Sequence, residues 1–203
     1  MPFVIQVKVH RKGAGSLEVS DADLIQQCLQ GDNAGFDLLV KKYQRQVYTF
    51  CRGMLGNGED SSDAAQETFV KAYYALDTFR RDAQFLTWLL RIANNACVDL
   101  WRRKSRHQSL SLSDESAELT GIPSDEPAPE LIVLRDERAR MVNDAVDRLP
   151  EKYRGAMVMF HFNAMSIKEI SEALRRPEGT VKSDLHIARE MLRRKLEGVV
   201  VEA

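Results

Sequence analysis

Cysteine is scarce in this sequence and carries no pattern. Cys28, Cys51 and Cys97 are the only three in 203 residues, and no two stand at C-x-x-C spacing. That argues against a thiolate zinc site and a dithiol redox motif. Cys97 falls in a helical apolar stripe, where a free thiol behaves as a small hydrophobe. Long hydrophobic runs are absent: none approaches the roughly 20 apolar residues of a membrane span. The first residues lack an apolar core followed by a small-residue cleavage site, so no secretory signal is expected and the cytoplasm is the expected location. Nucleophile–base pairs, Gly-rich phosphate loops and metal-ligand clusters are also missing, and His10, His107, His161 and His186 are scattered. The sequence therefore argues against an enzyme, and calls for no cofactor, no metal and no small-molecule substrate.

An excess of one charge is absent too. Lys and Arg number 29 against 30 Asp and Glu, for a net charge of −1. The distribution is uneven. Residues 1–106 hold 15 basic and 12 acidic groups, residues 107–134 hold six acidic groups and no Lys or Arg, and residues 135–203 hold 14 basic and 12 acidic groups. An acidic segment thus separates two faintly basic blocks and masks local basic faces in the total.

Residues 1–20 read as an irregular extension. Val4, Ile5, Val7 and Val9 fit a short strand that Gly13-Ala14-Gly15-Ser16 ends. Residues 21–104 read as helical: Leu24, Ile25, Cys28 and Leu29, then Phe36, Leu39, Val40, Tyr43, Val47 and Phe50, recur at helical spacing. Asp21 is the expected N-cap, Gly31-Asp32-Asn33 the first break and Leu55-Gly56-Asn57-Gly58 the second. Residues 105–134 include Pro123, Pro127 and Pro129 among Ser, Asp and Glu, a composition expected to make a flexible linker. Residues 135–198 are helical again, with a boundary at Leu149-Pro150 and an end at Gly198. The expected fold is all-α: two small helical domains on an acidic linker.

The C-terminal block carries a helix-turn-helix pattern. Ser166 and Glu169 form an S-x-x-E capping box, and Ile167, Ile170, Ala173 and Leu174 make the first buried stripe. Arg175 to Gly179 makes the turn, with Pro177 suited to a helix start. Val181, Leu185, Ala188, Leu192 and Leu196 line one face of the second helix, and Lys182, His186, Arg189 and Arg193 the other. A major groove about 12 Å wide admits one such helix. Lys182, Ser183 and His186 stand where base edges come within reach, and Arg175, Arg176, Arg189, Arg193 and Arg194 suit phosphates. Taken alone, the segment also fits an amphipathic hairpin with a solvated face.

Two N-terminal segments stand out. In DAAQETFVKAY, Asp63, Gln66, Glu67 and Val70 align at i, i+3, i+4 and i+7, a polar stripe with one apolar member that suits docking to another protein's helices, or a solvated acidic face. In FLTWLLRIANNACVD, Phe85, Trp88, Leu89, Ile92, Ala96, Cys97 and Leu100 make a core stripe, while Arg91 and Asn95 lie one turn apart on a polar face. Asp99 is placed to pair with Arg102 or Arg103, and Arg102, Arg103, Lys104 and Arg106 suit phosphate contact. Phe79 to Gln84 reads as a polar loop.

With LPEKYRGAM and MSIKEISEALRRPEGTVKSDL, these segments make the chain resemble the extracytoplasmic-function (ECF) group of the sigma-70 family over roughly residues 21–104 and 135–197. The resemblance implies a sigma-2-like bundle and a sigma-4-like helix-turn-helix. It implies that Asp63, Gln66 and Glu67, with Val70, dock on the clamp helices of the largest subunit of core RNA polymerase. It implies that the loop with Phe79, Arg80, Arg81 and Gln84, and the helix face with Arg91 and Asn95, open the −10 element and hold a flipped base. Lys182, Ser183, His186 and Arg189 would read the −35 element, and an anti-sigma factor would restrain the whole. Asp184 and Ile187 stand where the family often has Arg, so weaker phosphate contact is expected there. A plain helix-turn-helix regulator, and an adaptor that has lost its DNA function, are the competing readings.

Overall fold

The computed structural model describes residues 19–80, 83–110 and 141–200, all of whose regular elements are helices. They are α1 (Asp21–Leu29), α2 (Ala34–Leu55), α3 (Gly58–Tyr74), a 3-10 turn (Leu76–Thr78), α4 (Phe85–Leu110), α5 (helical over 141–147), α6 (Glu151–His161), α7 (Ile167–Leu174) and α8 (Glu178–Val200). Residues 1–18 of the expected extension, residues 111–134 of the expected linker and Arg81 lie outside the described residues.

Local signals set most boundaries. Ser20, not Asp21, caps α1, accepting from the Asp23 amide. The Asp21 carboxylate accepts instead from Lys42 Nζ (2.6 Å) and the Tyr43 hydroxyl (2.5 Å) on α2. Left-handed Gly56 (φ 76°) closes α2, and Asn57 caps α3 through the Asp60 amide. Two expected ends are overrun. α4 passes residue 104 and reaches Leu110, because no Pro or Gly interrupts it. α8 passes Gly198 to Val200, since one glycine costs only about 1 kcal/mol in a helix.

The first four helices bury Leu24, Ile25, Phe36, Leu39, Val47, Phe50, Trp88, Leu89 and Leu90. α3 presents only Ser61, Ala64, Ala65, Thr68 and Ala72 inward, so it lies close to its neighbours. Its two buried hydroxyls are satisfied within the helix, Thr68 donating to Ala64 O (2.6 Å) and Ser61 to Asn57 O. Cys51 and Cys97 are both buried, and the Cys97 thiol is pushed up in pKa by its hydrogen bond to Cys51 and by burial.

In the C-terminal half the expected capping box is present, with Ser166 Oγ accepting from the Glu169 amide and Glu169 from the Ser166 amide. Arg175, at φ 52°, takes the left-handed conformation that turns the chain from α7 to α8.

The two halves share one hydrophobic core. Val158 of α6 stands where α2 has Gly53; a Cβ there would lie 2.9 Å from Val158 Cγ1. A Cβ on Gly155 would meet Asn94 Oδ1 of α4 at 2.9 Å. Both glycines let helices of different halves touch. Arg154 Nη1 donates to Met54 O (2.7 Å), while its other nitrogens donate to Leu149 O and Asp147 O. Asn163 Nδ2 donates to Gln46 O (3.0 Å). Linked helical domains were expected; the structure adds that they are packed together.

Candidate functional site

Three surfaces carry the residues singled out above. The first is a groove of about 880 Å³ between α2 and α3. Gln66 and Val70 line it, with Phe36, Val40, Arg45, Tyr48, Phe69 and Tyr73. Val70 is 52% exposed and the neighbouring Tyr74 80%, a large amount of apolar surface left in water. Tyr73 is held in place: its ring packs edge-on against Phe36 (5.1 Å) and its hydroxyl donates to Asn33 Oδ1 (2.8 Å). Asp63 and Glu67 lie on the adjoining stripe, outside the groove. Asp63 is exposed, while Glu67 pairs with Lys71 (2.7 Å) and approaches Arg103 of α4 (3.7 Å). Sequence reasoning missed Tyr48 and Tyr74; α2 and α3 form the groove only when packed, and the helical periodicity of either alone is silent about it.

The basic cluster on α4 is partly committed to α3. Lys104 pairs with Asp60 across the two helices, and Arg103 turns toward Glu67 rather than one turn back to Asp99. Burial pushes the Asp60 carboxyl up, but hydrogen bonds from Lys104 and Asn57 and the Lys104 charge hold it below the usual carboxylate range.

The second surface is the start of α4 and the loop before it. Phe79 packs inward against Phe85 (5.5 Å) and Trp88 (5.3 Å), so it anchors the loop to the core. Arg80 and Gln84 are exposed. Asn95 is exposed on α4, and Arg91, one turn earlier, is partly covered. Burial and the nearby charge of Arg175 weaken the hold of the Arg91 guanidinium on its proton, since its cation is crowded by another from the C-terminal half.

The third surface is α8. Val181, Leu185 and Ala188 are buried, while Lys182, Ser183, His186 and Arg189 are exposed, as the spacing predicts. Ser183 Oγ donates to Gly179 O (3.0 Å), and Arg189 lies over the Phe160 ring (5.1 Å).

Family models match both halves of the chain. The model of Sigma-70 region 2 matches residues 39–107, and that of Sigma-70 region 4 matches residues 139–192. The RNA polymerase sigma-H factor of Pseudomonas aeruginosa is 36% identical over 187 residues, covering 90% of this chain and 97% of that protein. The ECF RNA polymerase sigma factor SigW of Bacillus subtilis is 36% identical over 176 residues, covering 85% and 94%. The chain belongs to the ECF group of the sigma-70 family. Among solved structures, CnrH in complex with the cytosolic domain of CnrY matches with a TM-score of 0.65 at 26% identity, covering 88% of this chain and 97% of that one. The sigma factor RpoE bound to the anti-sigma factor NepR, from Bartonella quintana, shares the fold at 19% identity with a TM-score of 0.64, covering 80% and 96%.

Within this sigma factor, one expected departure takes a different form. Asp184 does not face outward to repel phosphate. It is 2% exposed and accepts from Arg176 Nη1 (3.1 Å), with Lys152 Nζ at 4.0 Å. Arg176 also donates to Lys152 O (2.9 Å), so this arginine, expected to suit phosphate, braces the turn against α6 and α8. A reversed charge on the sequence thus becomes an internal ion pair in the fold.

Proposed function

We propose that this sigma factor directs core RNA polymerase to promoters by a division of labour between its halves. The groove between α2 and α3, with Gln66 and Val70 inside it and Asp63 and Glu67 beside it, docks on the clamp helices of the polymerase's largest subunit. The Phe79–Gln84 loop and the α4 face with Arg91 and Asn95 open the −10 element; an extruded base needs hydrogen-bonding groups and an apolar wall. Lys182, Ser183, His186 and Arg189 of α8 meet the −35 element in the major groove. The role is binding and positioning, in the cytoplasm, and the polymerase supplies the chemistry.

The observation that carries this reading is the coexistence of an apolar, tyrosine-rich groove on α3 and an exposed polar face on a helix-turn-helix. A stand-alone regulator has no use for the first.

Arg91 is partly covered and feels the charge of Arg175, so the packed form limits its access to DNA. A packed form of this kind is what an anti-sigma factor would hold, and the complexes of CnrH and RpoE with their partners support such control here.

Gel filtration with purified core polymerase tests the reading. The chain is expected to co-elute, and an Asp63→Ala, Gln66→Ala double variant to do so less. A folded chain that fails to bind an active core would leave only a helix-turn-helix DNA-binding protein.

A further inference from the structure

We infer that Ile187 reads a base, its side chain meeting the 5-methyl group of a thymine in the −35 element. This rests on the proposed entry of α8 into the major groove.

α8 turns Val181, Asp184, Leu185 and Ala188 inward. The residues left exposed over its first turns are Glu178, Gly179, Lys182, Ser183, His186 and Ile187. A Cβ built on Gly179 meets nothing within 4 Å, so the N-terminal end of this face is unobstructed. Ile187 follows Ser183 by one turn and His186 by one residue, and it is 39% exposed. It is the aliphatic member of an otherwise polar face, where Lys182, Arg189 and the turn residue Arg175 outnumber the one acid, Glu178, and leave a net positive charge complementary to a phosphate backbone.

The major groove supplies one apolar partner for such a side chain. Thymine alone among the four bases presents a methyl group there, at C5, and apolar residues contact it. Lys182, Ser183 and His186 supply hydrogen-bonding groups for neighbouring base edges. Ile187 therefore makes a thymine, rather than a phosphate, the preferred neighbour at its own position. Loss of one buried methyl lowers affinity about fourfold.

The test uses holoenzyme assembled from the full chain and core polymerase. Wild-type holoenzyme selects duplexes from a library randomised over the −35 element, and each selected dT is then replaced singly by dU, which removes the methyl and nothing else. Wild-type affinity is expected to fall about fourfold at one position, with the Ile187→Ala holoenzyme indifferent to the same replacement. Ile187→Val is expected to retain the effect. Equal losses for wild type and Ile187→Ala at every position, or no loss at any, would overturn the inference while α8 still selects a sequence. A drop in core binding by Ile187→Ala, without thymine dependence, would instead make Ile187 part of a protein contact. If Lys182→Ala and His186→Ala leave the selected −35 sequence unchanged, α8 is not the reading helix, and the underlying reading fails first.

Discussion

The outer faces of α3 and α8 are both amphipathic helix surfaces, yet their charges are disposed differently. On the α3 side two of the acids are matched internally, Glu67 to Lys71 and Asp60 to Lys104 of α4, while Asp63 stays exposed. What remains for a partner is an apolar groove edged by tyrosines. On α8 the buried acid Asp184 is matched to Arg176, and the outer face keeps Lys182 and Arg189 exposed. On the proposed division of labour, neutralised cations leave a surface for another protein and spared cations leave one for nucleic acid. The position of the acids decides which, and net charge does not report it.

The sharpest break of this comparison is a charge in the groove. Val70→Asp should weaken core binding about 300-fold or more, the scale of a strong interface hot spot. Titration of labelled core checks this, and a loss under about threefold would remove the groove from the docking surface.

Next in size is Arg154→Ala. It removes donors to Met54 O, Leu149 O and Asp147 O. Hydrogen bonds from a charged group contribute roughly 1.5–3 kcal/mol, so a loss of about 3 kcal/mol in thermal unfolding is expected, with a larger radius of gyration by small-angle scattering. An unchanged radius would mean that apolar packing alone holds the halves together.

Asp184→Ala sharpens the α8 side. It should cost about 2 kcal/mol in stability by leaving Arg176 without its carboxylate, and leave the salt dependence of DNA binding unchanged. If Asp184 instead faced the phosphates, its removal would steepen the slope of log affinity against log salt by about one.

The smallest effect belongs to Lys104→Ala, about 0.5 kcal/mol at low salt, because the lysine is largely exposed. Its pH dependence has a definite sign. The Asp60 carboxyl is held below its ordinary value, so the pair stabilises the fold above the unfolded carboxylate pKa of about 4. That contribution disappears as pH falls through the folded value. Thermal melts of the variant and wild type should therefore differ at pH 7 and converge in acid.

Much of this was legible along the chain. Periodicity located the buried stripes of α2, α4, α7 and α8, and the Ser166–Glu169 pair announced the start of α7. These signals are local, confined to one or two turns. Three features were not legible for the opposite reason. Tyr48 and Tyr74 join the groove because two helices pack side by side. Asp184 reads as a groove-facing charge until Arg176 and Lys152 close around it. The meeting of Gly53 with Val158 depends on residues 105 positions apart in sequence. Phe79 shows the intermediate case: its place before α4 was read correctly, while its inward ring depends on Phe85 and Trp88.

The fit of Val158 against Gly53 also constrains how such proteins can be recombined. Exchanging C-terminal halves between relatives is an obvious way to retarget promoters, since the reading helix would travel intact. A donor half with a bulkier side chain than Val158, or a recipient with any side chain in place of Gly53, would have to shift the contact between the halves. The chimaera would still carry both candidate surfaces, but on an altered packing of its halves. Because the halves share one hydrophobic core, a lower melting temperature would accompany any change in transcription.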